Sequence, residues 1–188
     1  MIFYKLANRQ DFASYWPEHK AGELPDPRIP DYYRDIETVL GEHLGDPPRK
    51  PGKKGDLHKS AYGFFARPAA LALFVSGSRN KVATHPAVLL GRESEEFQQF
   101  WVLNYVDCLD VPNSSISEPV GRAPGRVGVI KRAAFDEARW DGSDVFVVPQ
   151  DPTHSVYCSE RFVAQWKAAK LKGALFSRFL MDPDAVKA

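Results

Sequence analysis

Proline decides first what this chain cannot be. It occurs 15 times in 188 residues. Each proline fixes φ and removes a backbone donor, so it interrupts helices and sits in sheets only at edges or bulges. Pro17, Pro25, Pro27 and Pro30 forbid a long helix over 17–30. The run Gly45-Asp46-Pro47-Pro48-Arg49-Lys50-Pro51-Gly52-Lys53-Lys54-Gly55-Asp56 is the clearest cluster of breakers and predicts a mobile loop. A linker between two domains is the competing reading, but the 44 residues before it are few for an independent core. Residues 110–125, rich in Pro, Ser and Gly, predict a second loop. Loops should therefore be numerous and locally stiff.

Between the breakers there is enough apolar material for a core. Hydrophobic residues make up 44% and charged residues 26%, ordinary globular usage. A chain of this length folds without disulfide staples, and one domain over 1–188 is expected. The formal net charge of +1 offers no global argument for nucleic acid or an anionic membrane. Charge is uneven locally. Asp31, Asp35, Glu37, Glu42 and Asp46 precede a basic run from Arg49 to Lys54, which reads as a solvated loop. The opening Met1-Ile2-Phe3-Tyr4-Lys5 has neither the basic nor the apolar region of a secretory signal. No apolar run reaches the ~18 residues of a membrane helix. Two cysteines, Cys108 and Cys158, make no disulfide scaffold, so free thiols and the cytoplasm are expected.

The periodicities predict short elements. Ile2–Leu6 reads as a strand. Asp31 N-caps a helix over 31–43, with Tyr32, Ile36, Val39, Leu40 and His43 at helical spacing. Ala66–Val75 reads as a helix with Pro68 in its first turn, and Gly77 and Asn80 mark the turn after it. Lys81–Leu90 reads as an edge or bulged strand because of Pro86. Residues 99–106 read as a strand rich in aromatic and β-branched residues. Val127–Lys131, Val145–Val148 and Ser155–Cys158 are further strands. Ser159 then N-caps a helix with Glu160 in its first turn and Phe162, Val163, Trp166 and Ala169 on one side. Gly173 is expected to close it as the C′ residue, and Leu175–Leu180 is a terminal strand. Residues 63–90 and 156–180 share this order of apolar start, helix, Gly-containing turn and β segment, with Phe74 and Trp166 in comparable late-helix positions. A weak internal duplication and a chance likeness of two common units account for this equally well.

Chemistry is harder to find. Cys108 and Cys158 sit far apart in sequence, and the five histidines, at 19, 43, 58, 85 and 154, are scattered, with no pair at i, i+4 on a clear helix. Gly52-Lys53-Lys54-Gly55 has no strand feeding it and so makes no phosphate cradle. Cys158 precedes a helix N-terminus, with His154 upstream and His85 on a candidate neighbouring strand, which permits a Cys/His pair. A small buried hydrophobe is the simpler reading of Cys158. Asp107 and Asp110 end the most hydrophobic strand, where aspartate commonly makes turns. Among the aromatics, Tyr32, Tyr33, Phe64, Phe65, Phe100, Trp101, Trp140 and Trp166 are core or binding anchors. Of Phe100 and Trp101, one should face outward.

Phe100-Trp101-Val102-Leu103-Asn104, then Val106-Asp107-Cys108-Leu109-Asp110 and Ser114, resemble the central block of immunity family eleven of the bacterial polymorphic toxin systems. Val156-Tyr157-Cys158-Ser159-Glu160-Arg161-Phe162 and Leu171-Lys172-Gly173-Ala174-Leu175-Phe176 resemble its terminal unit, and His85-Pro86-Ala87-Val88-Leu89 resembles the strand before the central block. The likeness covers about 56–180; residues 1–55 match less well. The Pro-rich 112–124 loop and Cys158 depart from the family pattern.

The resemblance implies a protein that binds and neutralises a cognate toxin encoded nearby, without catalysis, cofactor, metal, nucleic acid or membrane. It assigns no catalytic or partner-binding residue, because Asp107, Asp110 and Ser114 would turn the chain and Ser159, Glu160 and Gly173 would cap a helix. The expected fold is α+β, a mixed or antiparallel sheet with two or three packed helices. The alternatives are a small enzyme using Cys158 or Asp107/Asp110, and a nucleic-acid-binding module using the 49–54 loop.

Overall fold

The computed structural model describes residues 1–8, 54–60, 63–77, 79–87, 94–117, 128–151, 155–179 and 186–187. The expected helix over 31–43, the acidic segment 31–46, the basic run as far as Lys53, residues 88–90 of the expected strand over 81–90, His154 and Leu180 lie outside them.

The elements run β1 (Phe3–Asn8), β2 (Leu57–Ser60), β3 (Gly63–Ala66), α1 (Pro68–Ser76), β4 (Val82–Ala87), β5 (Phe97–Val102) and β6 (Ser115–Ile116). They continue with β7 (Ile130–Arg132), β8 (Val145–Val147), β9 (Val156–Ser159), α2 (Glu160–Ala168), β10 (Ala174–Ser177) and β11 (Val186–Lys187). The α+β class expected from sequence is therefore corrected. Among the described residues sheet dominates: they form three sheets, and their two helices have nine residues each. The short strands are the reason. Leu57–Ser60 and Gly63–Ala66 are too brief to display a period, yet they pair with each other and β3 pairs with β5. Strand formation depends on partners distant in sequence more than on local preference. All the named strand pairs are antiparallel.

One sheet has the order β11-β10-β1-β9-β8, a second β2-β3-β5-β4, and a third is the β6-β7 ribbon. Two cores flank the five-stranded sheet. On one face Leu6, Val145, Val147, Val156, Cys158 and Phe176 meet Phe162, Val163 and Trp166 of α2, Phe74 of α1, and Phe64, Phe100 and Val102 of the second sheet. On the other, Phe3, Phe146, Val148 and Tyr157 meet Val106, Cys108, Leu109 and Ile130 from the chain that crosses it. Every residue of β8 and β9 is buried. A strand covered on both faces needs no alternation, which is why Val145-Phe146-Val147-Val148 reads as an unbroken apolar run.

The two helices share a setting. Strands β3 and β4 both pair antiparallel with β5, so they run parallel to each other one strand apart. Strands β9 and β10 do the same across β1. Each pair is joined by a helix. Pro68 and Glu160 start the helices and Val82 and Ala174 start the following strands, the same 92 residues apart in both cases. Phe74 and Trp166 hold the same place in their helices and meet at 6.1 Å between ring centroids, with Phe162 4.9 Å from Phe74. The likeness of 63–90 and 156–180 is thus one of topology as well as pattern.

The end of α2 corrects the expected role of Gly173. The amide of Leu171 donates to the Trp166 carbonyl and that of Lys170 to the Lys167 carbonyl, while Lys170 takes φ 55°. That is a Schellman ending with Lys170 as its left-handed residue. Gly173, at φ 107°, serves a different purpose: a Cβ there would lie 2.3 Å from the Leu57 carbonyl oxygen. Its bareness lets the turn after α2 lie against β2, where Asp56 and Leu57 both donate to the Lys172 carbonyl and Lys172 donates to the Asp56 carboxylate.

Candidate functional site

The family-like blocks converge on two polar hubs. Asp144, just before β8, is 6% exposed. Its carboxylate accepts the Ser159 hydroxyl and both an Nε contact of 2.9 Å and one of 3.1 Å from Arg161. Its carbonyl accepts the Ser159 amide at 2.9 Å. The Ser159 oxygen in turn accepts the Phe162 amide at 3.1 Å, capping α2 as its sequence predicts. A hydroxyl donates once and accepts twice, so one serine serves both partners. On the other side the Asn80 side-chain oxygen accepts the amides of Asp144 and Val145, each at 3.2 Å, and its amide group donates to the Phe74 carbonyl at 2.8 Å. Asp144 thereby ties the start of α2 and the turn after α1 to one strand. A carboxylate this buried is costly unless paired, and here its lone pairs are committed.

Arg139 is the second hub. Its guanidinium donates to the Leu109 carbonyl at 2.8 Å and to Asp136 at 2.9 Å, and lies 3.7 Å from Asp107. The hydrogen bond from Arg139 is the largest reason the Asp136 carboxyl stays below its ordinary value. Asp110 accepts the Asn113 amide and side chain, while the Ser114 hydroxyl donates to the Asp110 carbonyl and accepts the Ala134 amide. Asp110 and Ser114 turn the chain as expected. Asp107 is exposed and engages Gln150 and Arg139; it fastens a surface loop. Between the two acids, Cys108 and Leu109 fill the second core. Nearby, burial pushes the Asp141 carboxyl up, but hydrogen bonds from Ser143 and Asn104 outweigh it and hold it below 3.8.

Asp107 and Asp110 therefore have separate partners and purposes. Cys158 stands in β9 between β1 and β8 and is fully buried. Burial raises its thiol well above 9.0, and the Asp144 charge raises it further. The Cys108 thiol is likewise pushed up to about 12, chiefly by burial. Neither is suited to nucleophilic attack near neutral pH. Both thiols are free and sit in different cores. The backbone of His85 pairs with Gln99 in the second sheet. Of the aromatics, Phe64, Phe65, Phe100 and Trp166 are buried, Trp101 and Trp140 are half-buried, and Tyr32 and Tyr33 lie outside the described residues. Trp101 is thus the more outward of the Phe100/Trp101 pair. No group of three or more His, Cys, Asp or Glu suited to a metal ion occurs among the described residues, and no helix among them is long and apolar enough to cross a membrane.

Sequence reasoning missed Asp144, Asn80 as its partner, and Arg139. The Ser159-Glu160-Arg161-Phe162 run was the available signal, since a serine and an arginine at a helix start invite a carboxylate. Nothing local says which one.

Residues 88–179 match the family model of an immunity protein family, Imm11. The matched stretch carries both hubs and runs from before β5 to beyond β10; β2, β3, α1 and β4 precede it, so it is shorter than the 56–180 of the resemblance. No curated protein matches the chain.

Proposed function

We propose, from the Imm11 immunity family match of residues 88–179, that this chain neutralises a cognate bacterial toxin by stoichiometric binding, as part of a polymorphic toxin system and in the cytoplasm of the producing or sibling cell. The observation that carries the reading is the match itself. It contains the two blocks whose polar residues, Asp110, Ser114, Ser159 and Arg161, spend their hydrogen bonds on the fold. That use suits a rigid scaffold for a protein interface. The buried, raised thiols of Cys108 and Cys158 fit a role without catalysis. We further propose that residues 1–188 act as one immunity-type domain; the first core, drawn from both larger sheets and both helices, supports this. A stable complex of this kind buries about 1,200–2,000 Å² and depends on a few anchors.

The test is co-expression with the protein encoded beside it, followed by titration. Growth rescue with 1:1 binding is expected. Toxicity that persists alongside folded, non-binding protein removes the reading. A Cys158→Ala and Asp110→Asn double variant is expected to keep protecting cells once folded.

A further inference from the structure

The two strand–helix–strand units belong to two sheets with one plan. Taken from β8, the larger sheet runs β8-β9-β1-β10-β11, and the second runs β2-β3-β5-β4. Strands β2, β3, β5 and β4 thus hold the places of β8, β9, β1 and β10, and the corresponding pairs are all antiparallel. The larger sheet has one strand more. Beyond β10 lies β11, with Leu175 opposite Lys187 and Phe176 opposite Val186. Ala83 and Thr84 stand second and third in β4, as Leu175 and Phe176 do in β10. Among the described residues, however, no strand lies beyond β4.

The register fixes which backbone groups that edge presents. The Leu103 amide donates to the Lys81 carbonyl at 2.8 Å. Successive residues of an antiparallel ladder alternate in the direction of their N–H and C=O groups. Lys81, Ala83 and His85 therefore turn theirs toward β5, and Val82, Thr84 and Pro86 turn theirs away. Proline falls where its missing N–H costs the ladder nothing, so Val82 and Thr84 supply the donors that point off the edge. Thr84 is exposed. A row of this kind is a template for another extended chain.

We infer that this edge docks an extended segment of the partner toxin, added antiparallel to β4 beside Val82 and Thr84 as β11 is added to β10. The inference rests on the immunity reading and deepens it by naming the surface and the mode of contact. Main-chain hydrogen bonds supply much of the affinity of an added strand. Pro86 offers no donor, so the added strand is short; β11 itself has two residues. The toxin residues opposite Val82 and Thr84 must carry N–H groups, which excludes proline from both places.

The test is titration of the full chain with the toxin encoded beside it, together with amide exchange of the free and bound chain. In the free chain the Val82 and Thr84 amides should exchange quickly and the Ala83 amide slowly. On binding, the first two should slow at least about tenfold. Thr84→Pro deletes the outward donor and leaves the residues facing β5 in place; it should weaken binding at least about tenfold. Thr84→Ala keeps the backbone and should stay within about twofold. If the proline variant does not fold, the exchange pattern of the unaltered chain decides. Toxin binding that leaves the Val82 and Thr84 amides unchanged, or that is undiminished in folded Thr84→Pro, overturns the edge and leaves the immunity reading standing. Amides of Val82 and Thr84 already slow in the free chain overturn it too, because this chain then covers its own edge. A concentration-dependent dimer abolished by Thr84→Pro, with toxin binding unaffected, overturns the assignment in favour of a second copy. Absence of binding by the unaltered chain overturns both readings.

Discussion

Strand–helix–strand units β3–α1–β4 and β9–α2–β10 have the same topology, and their helices have the same length, yet they are held by different means. Helix α2 carries its own instructions: Ser159 caps it, Glu160 lies in its first turn, Lys167 in its last, and its apolar residues share one side. Helix α1 has none of these. Its sequence, Pro-Ala-Ala-Leu-Ala-Leu-Phe-Val-Ser, has no charge and no distinct polar face, and Arg67 before it offers no capping hydrogen bond. Only Pro68 at its start is a local signal. Ala70, Leu71 and Phe74 are buried, and the Asn80 side chain receives the far end by donating to the Phe74 carbonyl. A nine-residue helix is too short to stand on propensity in water. Helix α1 therefore depends on what it packs against, whereas α2 is specified locally and then packed.

The comparison can be broken at the point where the units touch. Phe74→Ala and Trp166→Ala should each cost about 3–5 kcal/mol. The double variant should cost less than their sum, because the rings share partners; chemical denaturation of the four-member cycle measures this. Strict additivity would mean that the two helices do not support each other. Gly173→Ala should cost about 3 kcal/mol from its positive φ and the collision with the Leu57 backbone, seen as a lower midpoint in the same assay. Ser159→Ala should cost about 1–2 kcal/mol and loosen amide protection of α2 before that of α1; equal loosening of both would erase the distinction between them. Lys170→Gly should stabilise by about 0.5–1 kcal/mol by relieving φ 55°, a modest rise in melting temperature.

These contrasts also explain what the sequence made legible. The Ser159 cap, the Asp110 and Ser114 turn, and the strand positions of 145–148 and 155–158 come from signals within a few residues, and all are found. Gly173 was rightly read as a glycine the fold needs and wrongly as the helix end, since its reason lies in Leu57, far away in sequence. The pairing of β3 with β5, the dominance of sheet, the Asp144 hub and the reach of Arg139 to Leu109 and Asp107 depend on partners distant in sequence.

Strand β1 lies between β9 and β10, with Phe3 opposite Ser159 and Lys5 opposite Ser177. Both neighbours lie far from it along the chain, with every strand of the second sheet and of the ribbon in between. Contacts of such long separation are slow to form, and an apolar strand left waiting is prone to mispairing. The five-stranded sheet must therefore close late in folding, and until it does the second sheet, whose strands are near one another in sequence, is the part of the fold that can form first.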